Sequence, residues 1–202
     1  MVSQNRIGLF HGSKYEPAMK QLSCLMPIIA VLVLTFLIGC ASPQVLYLKN
    51  NVHAHRGDDG ELKASYANWV YPTPGHMVIP VNTPIVIGRW QPGFYFITQD
   101  TGKWINFEYN QSNMPYNLNS YINLITAPQP IAEGGFSGID RQGINSGKAL
   151  AGMSKEAVRV ALGYPASHRT PTLDEDVWVY WRNRHRQIRV CFGDDGTVIA
   201  VH

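Results

Sequence analysis

The sequence predicts an α+β fold: a C-terminal ααβββ layer, with two helices on a three-stranded antiparallel sheet, preceded by a small all-β module. Two observations predict it. Between about residues 45 and 109, short runs of Val, Ile, Phe, Tyr and Trp alternate with turns rich in Pro, Gly, Asn and Asp, a spacing typical of an SH3-like barrel or a sandwich. After residue 139, two helical patterns precede three strand-like runs, and each layer needs the other to cover its apolar face.

An apolar stretch lies ahead of both parts. From Leu25 to Ile38 the chain is apolar almost without interruption, and it closes on Leu37-Ile38-Gly39-Cys40. As a helix this run reaches only about 22 Å, against roughly 30 Å for the hydrocarbon core of a bilayer. It therefore fits the short hydrophobic region of a secretory signal peptide better than a permanent span.

The tetrapeptide that ends at Cys40 resembles the lipobox of bacterial lipoproteins. The resemblance implies that residues 1–39 are cleaved as a signal peptide and that Cys40 carries a thioether-linked diacylglycerol and an N-acyl chain. Ala41 replaces the Asp of inner-membrane lipoproteins, which implies the outer membrane of a Gram-negative cell, on the periplasmic face. The alternative is an ordinary signal sequence or an uncleaved helix with a chance cysteine. Met19 is an alternative start, since it begins a complete signal peptide.

Charge and cysteine content exclude some function classes. The full chain has a net charge of +3, but removal of residues 1–39 leaves 14 basic and 13 acidic residues. A nearly neutral body gives no support for a nucleic-acid partner. After processing, Cys191 is the remaining free thiol, so no disulfide can form within the mature chain. Its apolar surroundings predict a small buried side chain rather than a reactive one.

Residues 40–126 comprise the lipidated tether and the β-rich part, and they contain two candidate ligand sites: a pair of histidines and a group of aromatic residues. His53 and His55 share one face of any strand, but no further ligand completes a metal site, and solvated loop histidines are the expected alternative. The turn at Asp100 to Lys103 predicts a hairpin with Phe96 opposite Phe107. Aromatic residues in such numbers predict a core or, alternatively, a ligand groove. A strand is also predicted over residues 66–71.

A short helix and a linker close this part. Residues 117–126 predict a helix with apolar side chains on one face. Proline and glycine are dense in residues 127–138, which predicts a linker or exposed lid and the boundary of a C-terminal domain over residues 139–202. In that domain we expect a helix over residues 139–151 and a second one with Ser154 as its N-cap. Strands are expected over residues 176–182, 186–192 and 197–201.

The C-terminal domain resembles the SmpA/OmlA (BamE-like) family of lipoproteins. The matching phrases are Gly152 to Val158, Leu162 to Pro165, Trp178-Val179-Tyr180 and Phe192 to Val198, and together they cover about residues 139–202. The resemblance implies an ααβββ fold in a small outer-membrane lipoprotein, and its best-known member is a non-enzymatic subunit of the machinery that assembles outer-membrane β-barrels. The chain departs from the family by its added β-rich part.

The sequence thus predicts a non-enzymatic binding or scaffold protein in envelope assembly, without catalytic residues, metal or cofactor. Membrane lipid through Cys40 and envelope assembly proteins are the expected partners. An inhibitor or docking module and an accessory of a cell-wall enzyme are the alternatives. Contact with a partner or with lipid headgroups is predicted for the aromatic and cationic residues of the last sheet, Trp178, Tyr180, Arg182, Arg184 and Arg186. The alternative is that these arginines lie in a solvated hairpin, where nearby acidic residues offset their positive charge.

Overall fold

An eight-stranded mixed sheet, curled into a half-barrel, dominates the structure. The computed structural model describes residues 43–183 and 185–202. The spatial order of the strands is β4-β2-β3-β7-β6-β5-β1-β8, and all neighbours are antiparallel except β3 and β7, which run parallel. The strands are β1 (Val45–Leu48), β2 (Val52–Arg56), β3 (Leu62–Ser65), β4 (His76–Ile79), β5 (Pro84–Trp90), β6 (Gly93–Thr98), β7 (Trp104–Glu108) and β8 (Thr126–Ala127).

Three helices and a smaller sheet complete the described part of the chain. The helices are α1 (Leu118–Ile125), α2 (Gly138–Ser146) and α3 (Lys155–Leu162), and the small antiparallel sheet, in the order β11-β10-β9, consists of β9 (Val177–Trp181), β10 (Gln187–Phe192) and β11 (Val198–Val201). Each helix begins after a residue whose side-chain oxygen accepts a backbone N–H of the first turn, namely Asn117, Ser137 and Ser154. Such caps satisfy donors that the helix itself leaves unpaired.

Two apolar cores lie within one compact unit, residues 43–202. The first fills the concave side of the large sheet against α1 and contains Phe94, Phe107 and Tyr121. The second lies between α2, α3 and the small sheet. Val70 and Val81, which belong to loops of the large-sheet part, are buried in this second core. The two parts of the chain therefore share apolar surface rather than each closing on itself.

The predicted fold class is wrong. The structure is mostly a large curled sheet with three helices and a small sheet, not an ααβββ domain on a small all-β module. The main reason is long-range pairing: β3 lies beside β7, about forty residues later, and β8 adds to β1 at the far edge. Hydrophobic patterns indicate strands but not which strands pair, so they predicted a small SH3-like barrel or sandwich where one continuous eight-stranded sheet forms.

Local predictions had mixed outcomes. The N-cap at Ser154 and the helix over residues 117–126 are confirmed. The strand over residues 66–71 is wrong, because Asn68 and Trp69 have positive φ angles. The helix expected to reach residue 151 ends at Ser146, where Gly147 adopts the left-handed conformation that terminates helices. The β6–β7 hairpin has Phe94, not Phe96, opposite Phe107, since its loop is longer than predicted.

Candidate functional site

The residues predicted for lipidation and partner contact lie in different surroundings. Cys40 and Arg184 fall outside the described residues. Trp178 is 2% exposed and Tyr180 is fully buried, and the Tyr180 hydroxyl donates to the Gly163 carbonyl oxygen at 3.1 Å. These two aromatic residues therefore hold the second core together and present no contact surface, which corrects the sequence-based expectation for both.

The two described arginines of the predicted set also differ from each other. The Arg182 guanidinium lies over the Tyr71 ring, 3.3 Å from the ring centroid, and this contact attaches the loop after β3 to the end of β9. Arg186 is exposed, and its carbonyl oxygen closes the hairpin by accepting the Arg182 N–H at 2.7 Å. A cation over an aromatic face contributes about 0.5–2 kcal/mol, so Arg182 has a structural role that the sequence did not indicate.

A cleft opens where the large sheet, the loop after β3 and the small sheet meet, and we call it the junction cleft. Its volume is about 450 Å³. Three aromatic side chains form its walls, and polar groups from four separate segments form its rim. The lining residues are Ser65, Tyr66, Ala67, Trp69, Glu108, Asn113, His168, Trp181 and His185. None of these aromatic residues was singled out from the sequence, because the cleft joins segments more than a hundred residues apart.

The loop that carries Trp69 is held in a rare conformation. Asn68 and Trp69 have φ angles of 71° and 39°, in a region that side chains other than glycine seldom adopt. Hydrogen bonds fix the loop from both sides: Asn68 Nδ2 donates to the Tyr164 carbonyl oxygen at 2.7 Å, and the Val70 N–H donates to the Trp181 carbonyl oxygen at 2.9 Å. Strain of about 1–3 kcal/mol per residue persists only where neighbours enforce it.

The walls and rim of the junction cleft combine aromatic surface with hydrogen-bonding groups. His168 stacks on Trp181, with ring centroids 6.3 Å apart, and the Tyr66 hydroxyl accepts from Asn113 Nδ2 at 2.6 Å. Trp181 Nε1 is a buried donor without a partner among the described residues. Glu108, His168 and His185 are exposed at the rim.

Three histidines form a second cluster beside the cleft. His53 Nε2 lies 3.0 Å from the Ala161 carbonyl oxygen, and His53 Nδ1 lies 3.0 Å from His76 Nε2. His55 Nε2 lies 2.9 Å from the Trp69 carbonyl oxygen, so it supports the strained loop. His53 is 3% exposed, contrary to the expectation of solvated loop histidines. Among the described residues, no group of three His, Cys, Asp or Glu side chains is arranged to hold a metal ion.

Burial controls the protonation of the histidine cluster. Burial is the main reason why the pKa of His53 is lowered to about 4. Repulsion from His76 and His55 adds to this decrease, and the hydrogen bond to Ala161 partly opposes it. Burial and the neighbouring His55 also lower the pKa of His76. Because the Ala161 carbonyl only accepts, neutral His53 carries its proton on Nε2, and Nδ1 accepts from His76.

A second aromatic surface lies on the outer side of the large sheet. Tyr95 and Trp104 stack with centroids 3.9 Å apart, and Trp104 is 48% exposed. Trp104 Nε1 already donates to Asn106 Oδ1 at 2.9 Å. A neighbouring depression of about 420 Å³ is lined by this Trp104 together with Arg56, Lys103 and Glu61. It differs from the junction cleft in its flat aromatic surface and charged rim.

Comparison with known proteins identifies no relative. No family model matches the chain, and no curated protein or solved structure is similar to it. Across residues 43–183 and 185–202, none of the helices has the length and apolar character that a bilayer-crossing helix requires.

Proposed function

We propose that this chain is a lipoprotein of the outer membrane, anchored through acylated Cys40, whose folded body serves as a binding or scaffold protein in envelope assembly and catalyses no reaction. The observation that carries the proposal is the position of Leu37-Ile38-Gly39-Cys40, a lipobox-like sequence after a short apolar run. Each buried methylene of an acyl chain contributes roughly 0.8 kcal/mol, so two or three chains hold a protein on a membrane.

The short connection between anchor and body supports a role at the membrane surface. The first strand begins at Val45, five residues after Cys40, and five residues of fully extended chain span at most about 18 Å. A body so closely attached would meet partners of the same membrane rather than diffuse through the periplasm. The resemblance of residues 139–202 to the SmpA/OmlA (BamE-like) family agrees with such a role.

The anchor is tested by mass spectrometry of the protein isolated from its own host. We expect an N-terminal peptide that starts at Cys40 and carries the mass of a diacylglycerol and an acyl chain. Cys40→Ser should abolish the modification and move the protein out of the outer-membrane fraction, while Cys191→Ser, which removes the other thiol of the mature chain, should change neither result. An unmodified thiol at Cys40 or an intact leader would contradict the proposal.

The scaffold role needs a separate experiment. The tagged mature protein is recovered from detergent-solubilised envelopes, and its partners are identified by mass spectrometry. Barrel-assembly subunits among the partners support the proposal. Recovery with a single periplasmic enzyme would instead indicate an inhibitor, and turnover of muropeptides by the purified protein would indicate a cell-wall enzyme.

A further inference from the structure

We propose that the junction cleft binds a neutral oligosaccharide, with a sugar ring held between its aromatic walls and its polar rim. Nothing in the anchoring of Cys40 enters this inference, which concerns Tyr66, Trp69, Trp181, Glu108 and Asn113. Saccharide binding at this cleft does not depend on whether Cys40 carries a lipid.

The size and chemistry of the cleft fit this ligand class. Small-molecule sites have volumes of roughly 300–1,000 Å³, with mostly apolar walls and a few polar groups that orient the ligand. The junction cleft has about 450 Å³ and meets both conditions. A pyranose ring presents apolar C–H groups on its faces, which pack on indole and phenol rings, and hydroxyl groups around its edge. Carboxylate, amide and imidazole groups at the rim are suitable partners for those hydroxyls.

The charge of the lining argues for a neutral ligand. Of the lining residues that the structure describes, Glu108 carries a formal negative charge, and no Lys or Arg is among them. Arg182, which follows the lining residue Trp181, is engaged with the Tyr71 ring. Phosphate and sulfate groups are bound by Arg, Lys or clustered backbone N–H groups. The described lining offers an anionic ligand the repulsion of Glu108 and, as basic groups, only the imidazoles of His168 and His185, so it favours a neutral ligand.

One wall of the cleft is rigid before any ligand arrives. The loop at Asn68 and Trp69 is fixed by three bonds: the Asn68 side chain donates to the Tyr164 carbonyl oxygen, His55 contacts the Trp69 carbonyl oxygen, and the Val70 N–H donates to the Trp181 carbonyl oxygen. A wall that is already ordered loses little conformational entropy on binding. Positive φ angles at consecutive residues other than glycine are uncommon, and such strain is concentrated at ligand sites.

Trp181, another lining residue of the cleft, has an unpaired donor. Trp181 Nε1 is buried without a hydrogen-bond partner among the described residues. An unsatisfied buried donor is unfavourable, and a ligand hydroxyl would relieve that cost only if the Trp181 side chain shifted so that Nε1 became accessible from the cleft. The outer Tyr95–Trp104 surface lacks this feature, because Trp104 Nε1 donates to Asn106. The junction cleft is therefore the stronger candidate, and Trp104 provides a matched control.

The test uses the protein as its own host processes it, purified in a detergent without a sugar headgroup. Chitotetraose and cellotetraose are titrated by calorimetry and by tryptophan fluorescence. We expect saturable binding of at least one of them; preference for chitotetraose would indicate an N-acetylated glycan such as the cell-wall backbone, and preference for cellotetraose a glycan without acetamido groups. Inorganic phosphate should not compete.

The variants locate the site. Trp181→Phe and Glu108→Gln should each weaken saccharide binding by about tenfold, the order of one lost stacking or hydrogen-bonding contact, whereas Trp104→Phe should leave it unchanged. Glu108 lies exposed at the end of β7, so its variant keeps the fold, and the thermal midpoint of each variant verifies this. Absence of saturable binding in the wild type, displacement by phosphate, or loss of binding in Trp104→Phe but not in Trp181→Phe would overturn the proposal.

Discussion

At the residue scale, His53 connects the two cores. Its imidazole is buried between β2 and α3, where Nε2–H donates to the Ala161 carbonyl oxygen and Nδ1 accepts from His76. A proton added to Nδ1 would face the N–H of His76, so protonation breaks one of these bonds as well as burying a charge. Burial of a charged imidazole without a carboxylate partner is unfavourable.

Stability should therefore fall as the pH is lowered from 7 to 4. The pKa of His53 is about 4 in the native state against 6.5 for a free histidine. Between pH 6.5 and 4 the unfolded chain binds more protons than the native one. The contribution of neutral His53 to the free energy of unfolding is therefore complete above pH 6.5 and is lost as the pH falls towards 4. The shift corresponds to about 3 kcal/mol, or on the order of 10 °C in thermal midpoint. Calorimetry across this range measures it.

A pair of variants separates His53 from the other groups that titrate. His53→Gln retains a donor for Ala161 but cannot be protonated, so its midpoint should depend much less on pH than that of the wild type. His202→Gln changes an exposed residue and should keep the wild-type dependence. An equal pH dependence in wild type and His53→Gln would show that His53 is not responsible.

At the element scale, α2 and α3 are joined by very close contacts. Asp140 in α2 accepts from the backbone and side chain of Ser137 and from the Ser154 N–H at 2.9 Å, so one carboxylate connects the caps of both helices. Burial opposes ionisation of Asp140, but the bonds from Ser154 and Ser137 outweigh it and lower its pKa. Gly143 lies in α2 directly against Met153.

Gly143→Ala should destabilise the protein, although alanine favours helices more than glycine does. A Cβ at this position would overlap Met153 Sδ and come within 2.8 Å of the Lys148 carbonyl oxygen. Overpacking of this kind costs about 1–3 kcal/mol, more than the roughly 1 kcal/mol gained in helix propensity. Urea unfolding followed by circular dichroism measures the difference.

The matched control is Gly138→Ala in the same helix. A Cβ on Gly138 has no neighbour within 4 Å, so this variant should be neutral or slightly more stable than the wild type. Equal effects of the two substitutions would contradict the close α2–Met153 contact, because helix propensity alone would then account for both.

Sequence patterns could predict the elements of this fold but not their assembly. The strand expected over residues 186–192 and the cap at Ser154 depend on neighbours in the chain, and both are confirmed. The parallel β3–β7 pair joins residues about forty positions apart, and no local pattern encodes it. The predicted register of the β6–β7 hairpin was wrong by two residues, so Phe94 rather than Phe96 lies opposite Phe107. Because side chains alternate with a period of two, a shift of two residues keeps both phenylalanines on the same face.

The candidate site was even less accessible to sequence reasoning. His168 and Trp181 lie in the C-terminal part, whereas Trp69 and Glu108 lie in the large-sheet part, and the fold brings them to one cleft. The signal that could have pointed there is the unusual Ala67-Asn68-Trp69 segment, read as a strand because Tyr66, Trp69 and Val70 favour strands. Hydrogen bonds from distant residues override that preference.

At the scale of the whole molecule, Asn51 fixes the two cores to each other. Its Nδ2 donates to the Ile144 carbonyl oxygen at 2.7 Å, its Oδ1 accepts from the Val81 N–H at 2.8 Å, and its backbone N–H donates to the Val160 carbonyl oxygen at 2.8 Å. Asn51, in the loop between β1 and β2, therefore hydrogen-bonds backbone groups of α2, of α3 and of the loop after β4. Asn51 is buried, so each of these bonds is shielded from water.

The body should therefore unfold as one cooperative unit. Hydrogen exchange of the most protected amides in β6, from the first core, and in β10, from the second, should report the same free energy of opening. Asn51→Ala should lower both by about 2–4 kcal/mol, since buried groups of two partners lose their bonds. Asn119→Ala on the exposed side of α1 is the control without effect. Different opening energies for β6 and β10 in the wild type would contradict the single unit.

The place of β1 inside the large sheet bears on how the protein responds to force. Any pull on the chain at residue 44 acts first on Val45, and β1 is hydrogen-bonded to β5 on one side and to β8 on the other. A force along β1 shears its hydrogen bonds to β5 and to β8. Bonds loaded in shear resist the force together, whereas the bonds of a strand pulled away sideways break one after another. A tether attached there can transmit a mechanical load into the sheet without unravelling it.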